Sequence, residues 1–262
     1  MMPRWSKPRS RMPVVHGLHL PYHQWGHGRS EAQLQAVLDA LAGSGKTLLF
    51  PGTIYNYRAH DRVIGPDLRQ EAQAPRGEIR IRLEQMLRQA AQKGGMQIII
   101  LRAGDFYGPG ERGEWFEKAM LMDAGKGRIY HLAELSLRHS WAYLPDLAKA
   151  FVTLAARRSE LAGFQNFHFA GHWVSHGQLM AAIQNAFPRP LRPQPMAWWL
   201  LRAAGLIDPM TRDIYRMRYL WQNEMELVDC RLDGLLGAGF GTPLEQAVAA
   251  TVNDLLQNKK AA

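Results

Sequence analysis

A chain of 262 residues, 47% apolar and 10% aromatic, is long enough for one large domain or a domain with a smaller lobe, and too apolar to be disordered. Its single cysteine, Cys230, excludes an internal disulfide and a cysteine-based zinc site, and fits a reducing compartment. The net charge of +9 raises nucleic-acid binding, but Arg4, Lys7, Arg9 and Arg11 supply four of those charges and the other bases are mixed with acids. No stripe of basic and aromatic residues suits a single-strand binder. No apolar run reaches the length of about eighteen residues that a membrane span needs, and MMPRWSKPRSRMP lacks the apolar region of a secretory signal. The expectation is a cytoplasmic protein that binds a small molecule, with neither nucleic acid nor membrane as partner.

In chain order, residues 1–13 read as a basic, disordered start. Three apolar runs then read as buried parallel strands: VVHG (14–17), TLLFPG (47–52) and MQIIILRAG (96–104). Between them lie amphipathic helices at 31–42 and 78–93; in the second, Ile79, Leu83, Met86, Leu87 and Ala90 follow the helical period. Strand–helix alternation predicts an α/β fold with a Rossmann-like parallel sheet and helices on both faces. Ligands bind such sheets at the carboxyl ends of the strands, which points to His16–Tyr22, Pro51–Tyr57 and Arg102–Gly110. Further on, helices are expected at 112–124, 145–158 and 175–187, with a strand at 164–171. PRPLRPQPMAWWLLRAAGLI reads as a proline-rich connector entering an apolar helix. In GTPLEQ, Thr242, Pro243 and Glu245 spell a capping box for the last helix. The division expected is a partial Rossmann-like domain over 14–158 and a small substrate lobe over 159–262, part of which returns to the sheet.

Several motifs have competing readings. ALAGSGKT (40–47) matches a loose phosphate-loop pattern, but a working loop leads from a strand into a helix, and here a helix leads into a strand. The glycines there end the helix instead. His16, His19, His23 and His27 fall within twelve residues, yet no carboxylate stands among them and LHLPYHQWGHG reads as a loop, so no metal site is expected. No GxGxxG follows a first strand. In LRAGDFYGPGERG, Arg102, Asp105 and Tyr107 sit at a strand end, where either a tight turn or a ligand site accounts for them. Arg76 and Arg80, four apart on a helix, form either a solvated basic face or a pair of cations at a site.

With LRAGDFYGPG, TLLFPGTIYNY and RHSWAYLPDLAKAF in view, the chain resembles the extended and atypical short-chain dehydrogenase/reductase superfamily, in its NAD-dependent epimerase/dehydratase branch. The resemblance implies NAD or NADP as cofactor, a small polar or sugar-like substrate, and a homodimer formed through helices that include 78–93. It also implies a start lacking two strand–helix units and the glycine-rich turn, an N-terminally incomplete version of the fold. On this resemblance His16, Gly17, Leu18, Pro51, Gly52, Thr53, Arg102, Ala103, Gly104 and Phe106 line the cofactor side, and Tyr107 and Trp141 reach the substrate. Counted from Tyr55, the family's catalytic tyrosine and lysine fall on Arg76 and Arg80, and a following glutamate on Glu84. Arginine stays protonated at accessible pH and cannot serve as base. Arg76 and Arg80 are instead expected on the cofactor side, binding an anion such as a ribose-linked phosphate, a carboxylate or an enolate, which leaves Asp105 and Tyr107 as acid/base candidates. The alternative is a non-catalytic ligand sensor or scaffold of the same fold.

Overall fold

The computed structural model describes residues 12–110 and 114–258; the basic residues of the first eleven positions lie outside them. The first strand, β1 (Val14–Val15), is followed by α1 (Arg29–Leu41), β2 (Thr47–Thr53), a short β3 (Val63–Ile64), α2 (Pro75–Lys93) and β4 (Gln97–Ala103). Next come β5 (Asp105–Tyr107), β6 (Arg128–His131), β7 (Arg138–Tyr143), α3 (Leu144–Ala156), β8 (Phe164–His168), β9 (His172–Ser175) and α4 (His176–Ala186). The chain ends with β10 (Arg192–Pro195), α5 (Trp198–Ala204), α6 (Pro209–Met217), α7 (Tyr219–Gln222), β11 (Glu226–Leu227), α8 (Cys230–Leu236) and α9 (Leu244–Asn258).

The main sheet is all parallel, in the order β1-β2-β4-β8. Its central strands are buried on both sides, and their alternation sorts the side chains cleanly. Leu48, Phe50, Ile98 and Ile100 face one core, with Leu34 and Leu38 of α1 and Leu83 and Leu87 of α2. Leu49, Ile99 and Leu101 face the other, with Leu147, Ala150 and Leu154 of α3 and Leu232 of α8. Helices therefore cover both faces, as the sequence predicts. Pro51 is tolerated inside β2 because β1 pairs only with Leu48 and Leu49, so beyond them β2 has a free edge among the described residues.

A second layer, a three-stranded sheet β5-β7-β9, packs with α4, α6, α7 and α9 around a third core. This lobe draws residues from 105–143 as well as from beyond 172, so the chain passes between the layers more than once and residue 158 does not divide them. The helix expected at 112–124 is a single wide turn, Phe116–Met120, and a 3-10 turn, Ala124–Lys126. Ser175 and Gln178 form a full capping box on α4. The Thr242 hydroxyl of the predicted box instead donates to Asp146 at 3.0 Å, and α9 begins at Leu244. In ALAGSGKT the order is helix, then Gly43 and Gly45 at positive φ, then β2. Among the described residues no helix is long and apolar enough to cross a membrane.

Two buried polar joints hold the layers in register. Arg102 of β4, fully buried, pairs with Glu84 of α2 at 2.6 Å, donates to the Thr53 carbonyl of β2 and reaches His168 Nε2 of β8 at 3.1 Å. Burial alone would raise the Glu84 carboxyl. The Arg102 charge and hydrogen bonds from Arg102 and Gln70 outweigh it and hold the group below the usual carboxylate range. Removing one member strands the other charge in the core, so Glu84→Gln should lower unfolding stability by about 3–5 kcal/mol. A urea midpoint equal to the unsubstituted chain's would refute that.

His168 and His176 set the acid response. Burial first, then the neighbouring Arg102 or His139, pushes these imidazoles down to about 3 and about 4. An unfolded histidine takes its proton near a pH of about 6.5, so below that pH the unfolded chain binds protons that the native one refuses. Stability is full above pH ~6.5 and falls as pH drops, by on the order of 1.4 kcal/mol per pH unit per histidine. The loss continues to about 4 for His176 and about 3 for His168. Urea titrations at pH 7, 6 and 5 measure the slope, which His176→Gln should flatten.

Candidate active site

The carboxyl ends of β1, β2 and β4 open into a cavity of about 1000 Å³, closed from above by the wide turn 116–120, α5, α6 and α7. Its floor is backbone and small side chains: Gly17, Pro51, Gly52, Thr53, Ala103 and Gly104. Gly104 is required there, because a Cβ would lie 2.0 Å from the Ser140 carbonyl oxygen. Gly77 plays the same part for α2: a Cβ at this position would lie 2.0 Å from the Tyr55 carbonyl oxygen. Its absence lets the helix start descend onto residues 54–56 and turns Arg76 and Arg80 into the cavity.

Neither arginine belongs to a solvated face. Arg76 is 6% exposed and meets Asp213 of α6 at 3.2 Å, with Met210 Sδ at 3.8 Å. Its guanidinium also lies 5.7 Å from the centre of the Trp25 ring. Arg80 donates to the Pro51 carbonyl and lies over Phe50 at 4.9 Å. The third member of the register, Glu84, points below the cavity to Arg102. His16 lines the cavity beside Phe50, and burial, then the Arg80 charge, lowers its imidazole; the same two causes lower His19. Both rings are therefore neutral at pH 7.

Asp105, also lining the cavity, is 5% exposed. Its Oδ2 accepts from the Trp221 indole N–H and lies 3.0 Å from His139 Nε2, while His139 Nδ1 lies 3.1 Å from the Leu220 carbonyl oxygen. Trp221 in turn packs against Trp115 and Trp198. Asp105 is thus held at the cavity wall by two buried partners from β7 and α7.

Of the residues expected at the site, His16, Gly17, Leu18, Pro51, Gly52, Thr53, Arg76, Arg80, Ala103, Gly104, Asp105 and Phe106 all line this one cavity. Three do not. Arg102 is buried beneath it, consumed by Glu84. Tyr107 is fully buried; its hydroxyl donates to His172 Nδ1 at 2.8 Å, since His172 Nε2 must donate to the Thr242 carbonyl. Burial pushes that phenol well above its ordinary value, so Tyr107 is a core residue and not an acid/base group of the cavity. Trp141 is likewise fully buried, against Phe116 and His139. Sequence reasoning missed Trp25, Trp115, Lys118 and Trp221, which line the cavity from segments with no distinguishing motif. Among the described residues no group of histidine, cysteine and carboxylate side chains could hold a metal.

Residues 32–167 match the profile described as "NAD dependent epimerase/dehydratase family". The chain belongs to this family. Among solved structures, it is similar to MoeE5 in complex with UDP-glucose and NAD, at 14% identity and a TM-score of 0.69, over 87% of this chain and 71% of that one. It is similar to a UDP-galactose 4-epimerase at 15% identity and a TM-score of 0.69, over 94% and 77% of the two chains. A putative epimerase from Burkholderia cenocepacia gives 17% identity and a TM-score of 0.68, over 95% and 76%. At such identities these likenesses show the fold, a Rossmann-like epimerase architecture. No curated protein matches by sequence.

The family implies a nicotinamide dinucleotide, and the cavity tests the fit. Strand ends bare of side chains at Gly52 and Gly104, flanked by guanidinium and imidazole groups, suit the nicotinamide–ribose half. A glycine-rich turn leading from a strand into a helix, which would cradle the pyrophosphate, is absent among the described residues.

The Arg80 charge is, after burial, the second cause that lowers the His16 imidazole. Arg80→Ala should therefore raise the His16 pKa while leaving it below 6.5, because burial remains. Histidine ring NMR over pH 4–8 reads this directly; an unchanged titration would mean that the Arg80 charge does not reach His16.

Proposed function

We propose that this epimerase/dehydratase family member binds the nicotinamide half of NAD or NADP along the ends of β1, β2 and β4, and holds an oxygen-bearing substrate between α2 and Asp105. The observation that supports this reading best is the convergence of Arg76, Arg80 and Asp105 on one cavity with a largely apolar lining. The active site is then non-standard, because both family positions for tyrosine and lysine carry arginine. When bound, the dinucleotide would supply hydride acceptance or donation. The protein's own residues divide the remaining work. Arg76 and Arg80 stabilise negative charge that is present on, or develops on, a substrate oxygen. Neither can take up a proton, so proton transfer falls to Asp105, held in place by Trp221 and His139. Gly52, Gly104 and the apolar roof keep the backbone close and water out.

The same double replacement favours a second reading, a ligand-binding protein without turnover. One experiment separates the readings. NADH and NADPH are titrated into the full chain, with energy transfer from tryptophan to bound nicotinamide as the readout; carbonyl compounds are then added and nicotinamide oxidation is followed. The expected result is saturable binding, with carbonyl-dependent oxidation slowed about tenfold by Arg80→Ala, the loss of one charge-assisted contact to the substrate oxygen. Binding without oxidation of any carbonyl compound would select the non-catalytic reading. No binding at millimolar cofactor would end the dinucleotide proposal.

A further inference from the structure

The wall of the cavity opposite the strand ends has a chemistry of its own. It is built by Met122, Met196, Leu201, Met210, Ile214 and Met217, closed at one end by Trp115 and Trp221. The polar side chains on this side are Asp105, Glu114 and Lys118. The one indole N–H of Trp221 is already given to Asp105, and that of Trp198, stacked behind it, to the Leu132 carbonyl. A sugar ring carries a hydroxyl on nearly every carbon. Each hydroxyl pressed against thioether and aliphatic carbon loses its water without gaining a partner. A methionine-rich wall has the opposite preference, since unbranched thioethers reshape around apolar bodies of varied outline.

The apolar wall begins at a cation. Met210 Sδ lies 3.8 Å from Arg76 Nη2, and Met210, Ile214 and Met217 follow one another along α6 at helical spacing, all lining the cavity. Asp213 of the same helix, 3.2 Å from Arg76, already holds one edge of that guanidinium, so a ligand carboxylate would share Arg76 with it and take Arg80 as its second cation. We infer that the cavity takes an amphipathic carboxylate, its anionic head on Arg76 and Arg80 and its apolar body along Met210, Ile214 and Met217 beneath Trp221. This names a substrate class for the site proposed above and rests on that reading of the cavity. It replaces the sugar-like substrate that the resemblance implies.

The test uses isothermal titration of the full chain with hexanoate, octanoate and decanoate, below their micelle concentrations, and with decanol and UDP-glucose. The expected affinity rises about fourfold per added methylene, and decanol binds at least about tenfold more weakly than decanoate, for want of the charged contact. UDP-glucose binds more weakly than decanoate. Met210→Glu lowers decanoate affinity at least about tenfold, by placing a carboxylate in the apolar wall. The pair Leu206→Ser and Ile207→Ser, at an exposed apolar turn outside the cavity, leaves it unchanged. No dependence on chain length, UDP-glucose bound more tightly than decanoate, or a loss of binding only in the Leu206/Ile207 variant would each overturn the inference; the comparisons on the unsubstituted chain do so without relying on any variant's folding. NADH titrated in parallel separates the two proposals. NADH bound and decanoate ignored sinks the substrate class alone. Decanoate bound and NADH ignored supports the carboxylate site and sinks the dinucleotide reading. Neither bound sinks both.

Discussion

The buried Arg102–Glu84 pair is the constraint on which the arrangement of the site depends. It joins β4 to α2 directly, reaches β2 through the Thr53 carbonyl and β8 through His168. Because Glu84 lies eight residues after Arg76, about two and a quarter turns, and four after Arg80, anchoring Glu84 to the sheet sets the rotation of the first half of α2. With that rotation fixed, Arg80 and Arg76 follow on the same face, one and two turns nearer the strand ends, and both meet the cavity. The close approach at Gly77 sets the height of the helix; the ion pair sets its rotation. A charge consumed inside the core therefore positions two that line the cavity.

This division explains which parts of the site could be read before the fold was known. The parallel strands were legible because β2 and β4 are continuous apolar runs between amphipathic helices, a pattern with few other solutions. That Arg76, Arg80 and Glu84 share one side of a helix was legible because helical spacing is rigid. Arg102 was misplaced for a physical reason: a charged residue at a strand end has two stable fates, a ligand or a buried counter-ion, and the partner that decides between them lies eighteen residues away on another element. Tyr107 and Trp141 failed similarly. Both sit in strands of the second sheet, whose alternation turns one side of each strand into the lobe core, and that sheet consists of pieces too short to show a period.

The roof of the cavity was the least legible part. It comes from five separate stretches between Glu114 and Trp221, each contributing one to a few residues. No local signal marks Met122, Met196 or Met210 as members of one wall, since methionine carries neither a strong propensity nor a charge. Only the folding of α5, α6 and α7 over the strand ends brings them together. Trp221 is the extreme case: its position over the cavity depends on stacking against Trp115 and Trp198, which lie 106 and 23 residues earlier in the chain.

On the proposed register, two arginines stand where the family's resemblance puts a tyrosine–lysine pair, and that exchange would change what the site can do with charge. A tyrosine beside a lysine can give up a proton and take it back, so the pair alternates between two charge states during a reaction. Two guanidiniums hold one state throughout. A site built on them favours a ligand that arrives negative, or a reaction whose charge builds up on oxygen and stays there until another group discharges it. Asp105 stands where that discharge would occur, and its two partners, Trp221 and His139, are buried groups that solvent cannot replace. On the proposed reading, the fixed cations would move the burden of proton transfer from α2 to Asp105 on another wall of the cavity, because a guanidinium can hold charge but cannot relay a proton.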